Sequence, residues 1–280
     1  MGAGADVVVI IGAGGIGQAI ARRQGPGRAV LLADFNAATL EAATRALEGV
    51  GYQVVSQRVD VSSRESVSAL AKAAASMGRV TQVVHTAGLS PVMAPVKAIL
   101  AVDLVGVALV LEEFGRVVAP GGAGVVISSM AGYMPPPLPL EQDQALARTP
   151  TDELLQLPML SEQAVPNPGA AYALSKRANH LRVQSASLTW GERGARINSI
   201  SPGIIATPMA QQEMASEGGP VYRAMIEKSA TGRMGTPEDV ASAAAFLLGP
   251  DSSFITGADL LIDGGVIPAL RAGRLQLLGR

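Results

Sequence analysis

Two hydrophobic periods alternate through the first hundred residues. Val7–Ile11, Ala29–Leu32, Gln53–Ser56 and Gln82–His85 are short β-rich runs, the pattern of strands buried on both faces. Between them, Leu40–Leu47 and Val67–Ala74 carry apolar residues at helical spacing. Asn36 is placed to cap the first of these helices, and Ser62 with Glu65 fits a capping box for the second. Strand–helix alternation at this spacing predicts right-handed crossovers and a parallel sheet, hence an α/β doubly wound architecture.

The rhythm continues with a long helix near Lys97–Val118, a strand at Val125–Ser128 and a helix near Gly169–Trp190, entered through Asn167 and Pro168. A strand at Arg196–Ser199, a helix from Thr236-Pro237 to Leu248 and a last strand at Ala258–Ile262 follow. Tyr133–Pro168 interrupts it with eight of the 18 prolines and a series of leucines. A connection of that length is functional or disordered. Glu141–Arg148 and Asp152–Leu157 are each candidates for a short helix. Alternation resumes afterwards, so residues 1–280 read as a single Rossmann domain with 133–168 inserted as a substrate lid or an interface element. The leucines of the insertion need an apolar surface, which a bound substrate could complete.

Composition narrows the function. The 22 Lys plus Arg against 23 Asp plus Glu give no general attraction to nucleic acid or anionic membrane. The absence of Cys removes disulfides, thiolate nucleophiles and Cys-ligated metals, and two His leave little for zinc, so no metal is expected. Met1–Asp6 lacks the basic and apolar regions of a signal peptide, and the apolar run Ala98–Leu111 is too short to span a bilayer. A cytoplasmic protein is expected.

Gly12-Ala13-Gly14-Gly15-Ile16-Gly17 follows the first strand and opens the first helix, which fits a dinucleotide turn. Gly12 makes the bend, Gly14 admits the pyrophosphate, and Gly17 allows close helix packing at a helix N-terminus rich in free N–H groups. Methyltransferases share such turns. Asp34, 22 residues after Gly12, stands where a carboxylate accepts from ribose hydroxyls and repels a 2′-phosphate. Phe35 follows it, with no neighbouring Lys or Arg in the sequence. Preference for NAD over NADP is the expectation. Asp60-Val61 ends the third strand, within reach of an adenine amino group, unless Asp60 only shapes a turn.

Tyr172 and Lys176 are four apart on one helix face, where a cation favours the phenolate and brings it toward the range useful for acid–base work. Ser128 and Ser129 stand at the C-terminal end of a buried strand, the ligand side of open α/β sheets. With Thr86-Ala87-Gly88, Asn198, Pro202-Gly203 with Thr207, the run Gly232–Val240 and Asp263-Gly264-Gly265, the chain resembles the short-chain dehydrogenase/reductase family from Val7 to Gly265. The resemblance implies a seven-stranded doubly wound sheet, an NAD(P) cofactor and alcohol–carbonyl interconversion. It implies Tyr172 as acid/base, Ser129 rather than Ser128 as the substrate hydrogen-bond donor, and Lys176 on the nicotinamide ribose. It also implies Thr86, Ala87, Gly88, Pro202, Gly203, Ile204, Ile205 and Thr207 about the cofactor. A homodimer or homotetramer is implied, the family usually pairing the Asp103 and Tyr172 helices of two subunits in a four-helix bundle.

Four features depart from the family. The glycine turn is one residue short. Thr86, preceded by His85, replaces the second Asn of N-N-A-G, with His85 expected as a satisfied strand-end residue. Asp103 stands where a helix Asn usually completes the catalytic set, and an ionised Asp accepts but cannot donate. The insertion sets Ser129 and Tyr172 43 residues apart. The last feature and Ala87–Pro91 resemble the hydroxysteroid dehydrogenase/carbonyl reductase branch. An NAD-dependent enzyme acting on a secondary alcohol or ketone, with apolar substrates such as hydroxysteroids favoured, is the leading expectation. A nucleotide-binding regulator or scaffold with catalysis lost through Asp103 is the alternative, and a methyltransferase stands third.

Overall fold

In a computed structural model of the chain, which describes residues 4–276, all seven expected strands join one parallel sheet. The strands are β1 (Asp6–Ile11), β2 (Ala29–Asp34), β3 (Gln53–Arg58), β4 (Arg79–His85), β5 (Ala123–Ile127), β6 (Arg196–Pro202) and β7 (Asp259–Ile262). Their order is β3-β2-β1-β4-β5-β6-β7. The reversal lies between β1 and β4, so the crevice at their C-terminal ends is the ligand side of the sheet. Residues 1–3, part of the segment read against a signal peptide, and residues 277–280 of the expected domain lie outside the described residues.

Helices α1 (Gly15–Gln24), α2 (Ala37–Glu48) and α3 (Arg64–Met77) link the first four strands. Asn36 caps α2 by accepting from the Thr39 amide. The cap of α3 is Ser63, not Ser62. Ser62 is taken by Asp60, whose Oδ1 accepts both its amide and its hydroxyl. A second correction concerns Gln53–Ser56. As part of the terminal strand β3 it has no neighbour on one side, and Gln53, Val55 and Ser56 are exposed.

The expected long helix is broken in kind but not in direction. It runs as α4 (Val96–Ile99), a π-helical segment (Leu100–Gly106) and α5 (Val107–Gly115). Asp103 sits in the wide π turn, a local geometry frequent at functional sites. In the insertion, α6 (Leu140–Arg148) and a 3-10 turn (Thr151–Gln156) stand where short helices were expected. Leu146, Leu154, Leu160 and Val165 are buried with Ile99, Leu104, Ala108, Ala171 and Ala178, so they find their apolar partners within the chain itself. Polar bonds tie the segment to α7 (Pro168–Gly191): Arg177 is bidentate to Asp143, and Arg182 donates to the carbonyls of Leu146 and Thr149.

Asn167 caps α7 through the Ala170 amide. Beyond β6 come α8 (Pro208–Ala215) and α9 (Gly219–Lys228), then α10 (Pro237–Leu248) with its Thr236–Asp239 capping box, and α11 (Val266–Arg271). Two apolar layers cover the sheet. One packs α3, α5 and α7, including the fully buried Trp190, against one face. The other packs α1, α2 and α10 against the opposite face. Among the described residues, no helix is long and apolar enough to cross a membrane.

Candidate active site

The glycine turn has the shape its spacing implies. Gly12 has φ +106°, and a Cβ there would strike the Thr86 side chain. A Cβ on Gly17 would fall on the Gly12 carbonyl oxygen, so α1 approaches β1 as only glycine allows. Gly14 is the opposite case: nothing lies within 4 Å of the position a Cβ would take. A bound phosphate can therefore reach the backbone there, beside the start of α1. Thr86 closes the turn from below, its hydroxyl donating to the carbonyls of Ile11 and Gly12.

Asp34 is fixed at the end of β2. Its Oδ2 accepts the Ala13 amide at 2.7 Å and its Oδ1 accepts the Asn36 amide at 2.8 Å. The carboxylate is thus joined to the turn it would serve. Sequence reasoning missed one neighbour. Register sets Arg58 of β3 opposite Asp34, with its guanidinium 4.9 Å from the exposed Phe35 ring centre and its Nε donating to the Phe35 carbonyl. A cation does lie beside this position, supplied by the adjacent strand and not by the adjacent sequence. Asp60 ends the third crossing with Oδ1 committed to Ser62, while Val61 packs beside Gly106 of the π segment.

Across the crevice, Ser129, Tyr172, Lys176 and Asp103 meet. Ser128 is buried and its hydroxyl donates to the Lys176 carbonyl, a structural bond. Ser129 is less buried, accepts the Ala131 amide and lies near enough to the Tyr172 phenol to pull its pKa down. Lys176 Nζ lies 5.1 Å from the Tyr172 ring centre and donates to Asp103 Oδ1 at 3.0 Å, with both side chains buried. The Leu89 amide donates to the same carboxylate. Burial opposes the Lys176 charge, but Asp103 and Tyr172 outweigh it and hold the ammonium protonated above its usual range. The phenol does not follow the sequence expectation. Burial raises its pKa, Lys176 and Ser129 pull it down, Asp103 and Glu213 push it up, and the net direction is upward.

His85 also departs from expectation. It is buried, and neither ring nitrogen has a hydrogen-bond partner among the described residues. Burial, with the Lys176 charge in support, lowers its pKa to about 3, so the ring is neutral. Ala87 and Gly88 carry the chain from β4 toward the buried ion pair, and a Cβ on Gly88 would lie 2.6 Å from Asp103 Oδ1. The opposite rim runs from Pro202 to Thr207. Gly203 donates to the Ile262 carbonyl, Ile204 and Ile205 are buried, and Ile205 bridges to Gly235. Thr207 caps α8 and reaches over the glycine turn, its methyl 3.5 Å from the position of a Cβ on Gly15. The open backbone at Gly14, the Asp34 carboxylate bonded to the turn and the Thr207 methyl beside Gly15 fit a dinucleotide.

Family models agree with this geometry. Residues 6–139 match the short chain dehydrogenase model, and 149–267 match a model described as enoyl-(acyl carrier protein) reductase. The short-chain dehydrogenase/reductase bsc3 of Alternaria brassicicola is 48% identical over 95% of this chain and 97% of its own length. The chain belongs to the short-chain dehydrogenase/reductase family. Other members of the family include the 3-alpha-hydroxysteroid dehydrogenase/carbonyl reductase of Comamonas testosteroni, 30% identical over 82% of this chain and 93% of that protein. The 3-alpha-hydroxysteroid dehydrogenase of Pseudomonas sp. B-0831, solved with NADH, superposes with a TM-score of 0.76 at 28% identity, covering 95% of this chain and 98% of that one. Short-chain dehydrogenases/reductases are oxidoreductases that use NAD(P) and act on small molecules. Besides Arg58, the sequence reading missed Glu213 and Tyr222 near Tyr172. No short-range spacing could reveal them, because α8 and α9 reach the cleft only through tertiary folding.

Proposed function

We propose that the chain is an NAD(H)-linked oxidoreductase that interconverts a secondary alcohol and a ketone, with Tyr172 as acid/base. The observation that carries this reading is the meeting of Ser129, Tyr172 and Lys176 at the strand ends, beside the open face of Gly14. When bound, the dinucleotide supplies the hydride acceptor or donor. Gly12–Gly17 and Thr86–Gly88 would hold its pyrophosphate half, Asp34 and Phe35 its adenosine ribose, Asp60 and Val61 its adenine, and Pro202–Thr207 its carboxamide.

In oxidation, the Tyr172 phenolate takes the proton of the substrate hydroxyl. In reduction, the Tyr172 phenol gives a proton to the carbonyl oxygen. The Ser129 hydroxyl donates to that oxygen in both directions and orients it. Lys176 favours the phenolate through its charge and is placed to hold the nicotinamide ribose. Asp103 holds the ammonium in position, and its own charge offsets part of that help. The apolar cluster around Tyr172, with Leu89, Leu138 and Leu157, supports an apolar substrate such as a hydroxysteroid. Preference for NAD follows from Asp34 and is moderated by Arg58.

The insertion covers faces of the Asp103 helix and α7, which supports a fixed cover and a homo-oligomer paired through other surfaces. Its sedimentation mass would report this. The function itself is tested with Tyr172→Phe across a panel of secondary alcohols. Turnover should fall by about two to four decades while NADH affinity changes little. Full activity in the variant would remove Tyr172 from the reaction. NADH binding without turnover on any alcohol would favour a regulator of the same fold.

A further inference from the structure

Glu213 is the one ionisable residue of α8, and it is half-buried. Its Oε1 accepts the hydroxyl of the fully buried Ser90 at 2.6 Å. Ser90 follows Leu89, whose amide is bound to Asp103, so a short loop joins the buried ion pair to α8. The carboxylate has no cationic partner among the described residues. Arg223, the nearest base in sequence, donates instead to the Met214 carbonyl. Leu89 packs in the same apolar cluster as Tyr172, so the Ser90 loop brings Glu213 to the Tyr172 side of the molecule, and the charge of Glu213 acts on the phenols of both Tyr172 and Tyr222 of α9.

Glu213 Oε2 and the Tyr222 hydroxyl have no hydrogen-bond partner among the described residues, and neither atom is sealed from solvent. Keeping a carboxylate partly buried without a cation is costly, and burial accordingly raises its pKa against the pull of Ser90. Perturbed groups of this kind cluster where ligands bind. Ser90 fixes one oxygen and leaves the other free to accept a hydrogen bond from a ligand. A donor arriving there meets an acceptor that has already been oriented.

We propose that Glu213 and Tyr222 form a specificity subsite that binds a second hydrogen-bond donor of the substrate, such as a hydroxyl remote from the reacting carbon, and disfavours substrates bearing a carboxylate. This inference rests on the alcohol–ketone reading above. It narrows the substrate class to neutral molecules with two polar ends, one at Tyr172 and one at Glu213.

The test compares cyclohexanol, cyclohexane-1,4-diol and 4-hydroxycyclohexanecarboxylate on the wild type and on Glu213→Gln, with NAD+ and with NADP+. Glutamine keeps an acceptor for Ser90 but removes the charge. The wild type should prefer the diol over the mono-alcohol by about tenfold in kcat/KM, and the variant should lose most of that ratio. The carboxylate should gain relative to the mono-alcohol in the variant. Calorimetric binding of the diol to the protein with NADH should weaken about tenfold in parallel. Equal ratios in the two proteins, or a uniform loss on all three compounds, would overturn the subsite. Failure of both proteins to oxidise any of the three with either cofactor, while the diol still binds in a Glu213-dependent way, would overturn the alcohol–ketone reading instead.

Discussion

Replacing Asp103 by alanine would strand the Lys176 ammonium in the protein interior. The pair is 3.0 Å apart, and the side chains are 4% and 0% exposed, so water cannot take over the lost partner. At an effective dielectric of about 20, two unit charges at that distance attract by roughly 5 kcal/mol. Mutational experience with buried pairs gives about 3–5 kcal/mol for removal of one partner. The Leu89 amide loses its acceptor as well. With an unfolding entropy of about 2.1 cal/mol/K per residue, a chain of 280 residues should lose about 5–9 °C in Tm. Trp190 is a built-in reporter, since it is the single tryptophan, is fully buried and donates to the Leu111 carbonyl. Its fluorescence followed during heating measures the loss. Glu41→Ala, which breaks the exposed Arg45 pair, should move Tm by less than about 1 °C and serves as the control. The double variant Asp103→Leu with Lys176→Met should recover most of the loss, because a well-packed apolar pair avoids the desolvation cost. An Asp103→Ala protein that melts with the wild type would refute the reasoning and mean that water already reaches the ammonium.

Asp103→Asn should keep or improve turnover and move the rise of alcohol oxidation to lower pH. The phenolate is the reactive form, and Asp103 pushes the Tyr172 pKa upward; a pH–rate profile reads the shift, and an unmoved limb would count against it. Wild-type protein should bind NADH at least about tenfold more tightly than NADPH, and Asp34→Ser should close that gap because Arg58 then faces a 2′-phosphate without a carboxylate between them. Paired titrations of both cofactors, repeated in Arg58→Ala, check this. Arg182→Ala should loosen the insertion, seen as faster amide hydrogen exchange over 138–165 with little change over β1 to β4, since Arg182 holds the carbonyls of Leu146 and Thr149.

Legibility in the sequence followed the range of the physics involved. Buried parallel strands and amphipathic helices are written into local periods, so the sheet, the glycine turn and the Tyr172–Lys176 face could be read directly. The Gln53–Ser56 strand was harder, because an edge strand and a central strand can share one composition, and only the sheet order separates them. Ser62 lost the helix cap to its neighbour because Asp60 holds its amide and hydroxyl in a turn one residue before the position that precedes the first helical residue, Arg64. Arg58 beside Asp34 arises from strand register, and Glu213 beside Tyr172 arises from the return of α8, both relations beyond any window of sequence. The net rise of the Tyr172 pKa had the same origin: the charge four residues away was visible, whereas burial is a property of the whole fold.

The π segment gives the Asp103 helix a phase problem. Seven residues wound more widely than an α-helix absorb residues that regular winding would carry around the axis by about 100° each. Deleting one residue between Leu100 and Gly106 would let the helix wind regularly and improve its own hydrogen bonding. The two flanks would then disagree. With α5 held by the sheet, Ile99 and Leu100 would turn out of the layer they share with the insertion. With α4 held instead, the buried face of α5 would turn away from the sheet. Length variation among descendants of this chain should therefore collect in its loops and avoid this stretch, where a better helix makes a worse protein.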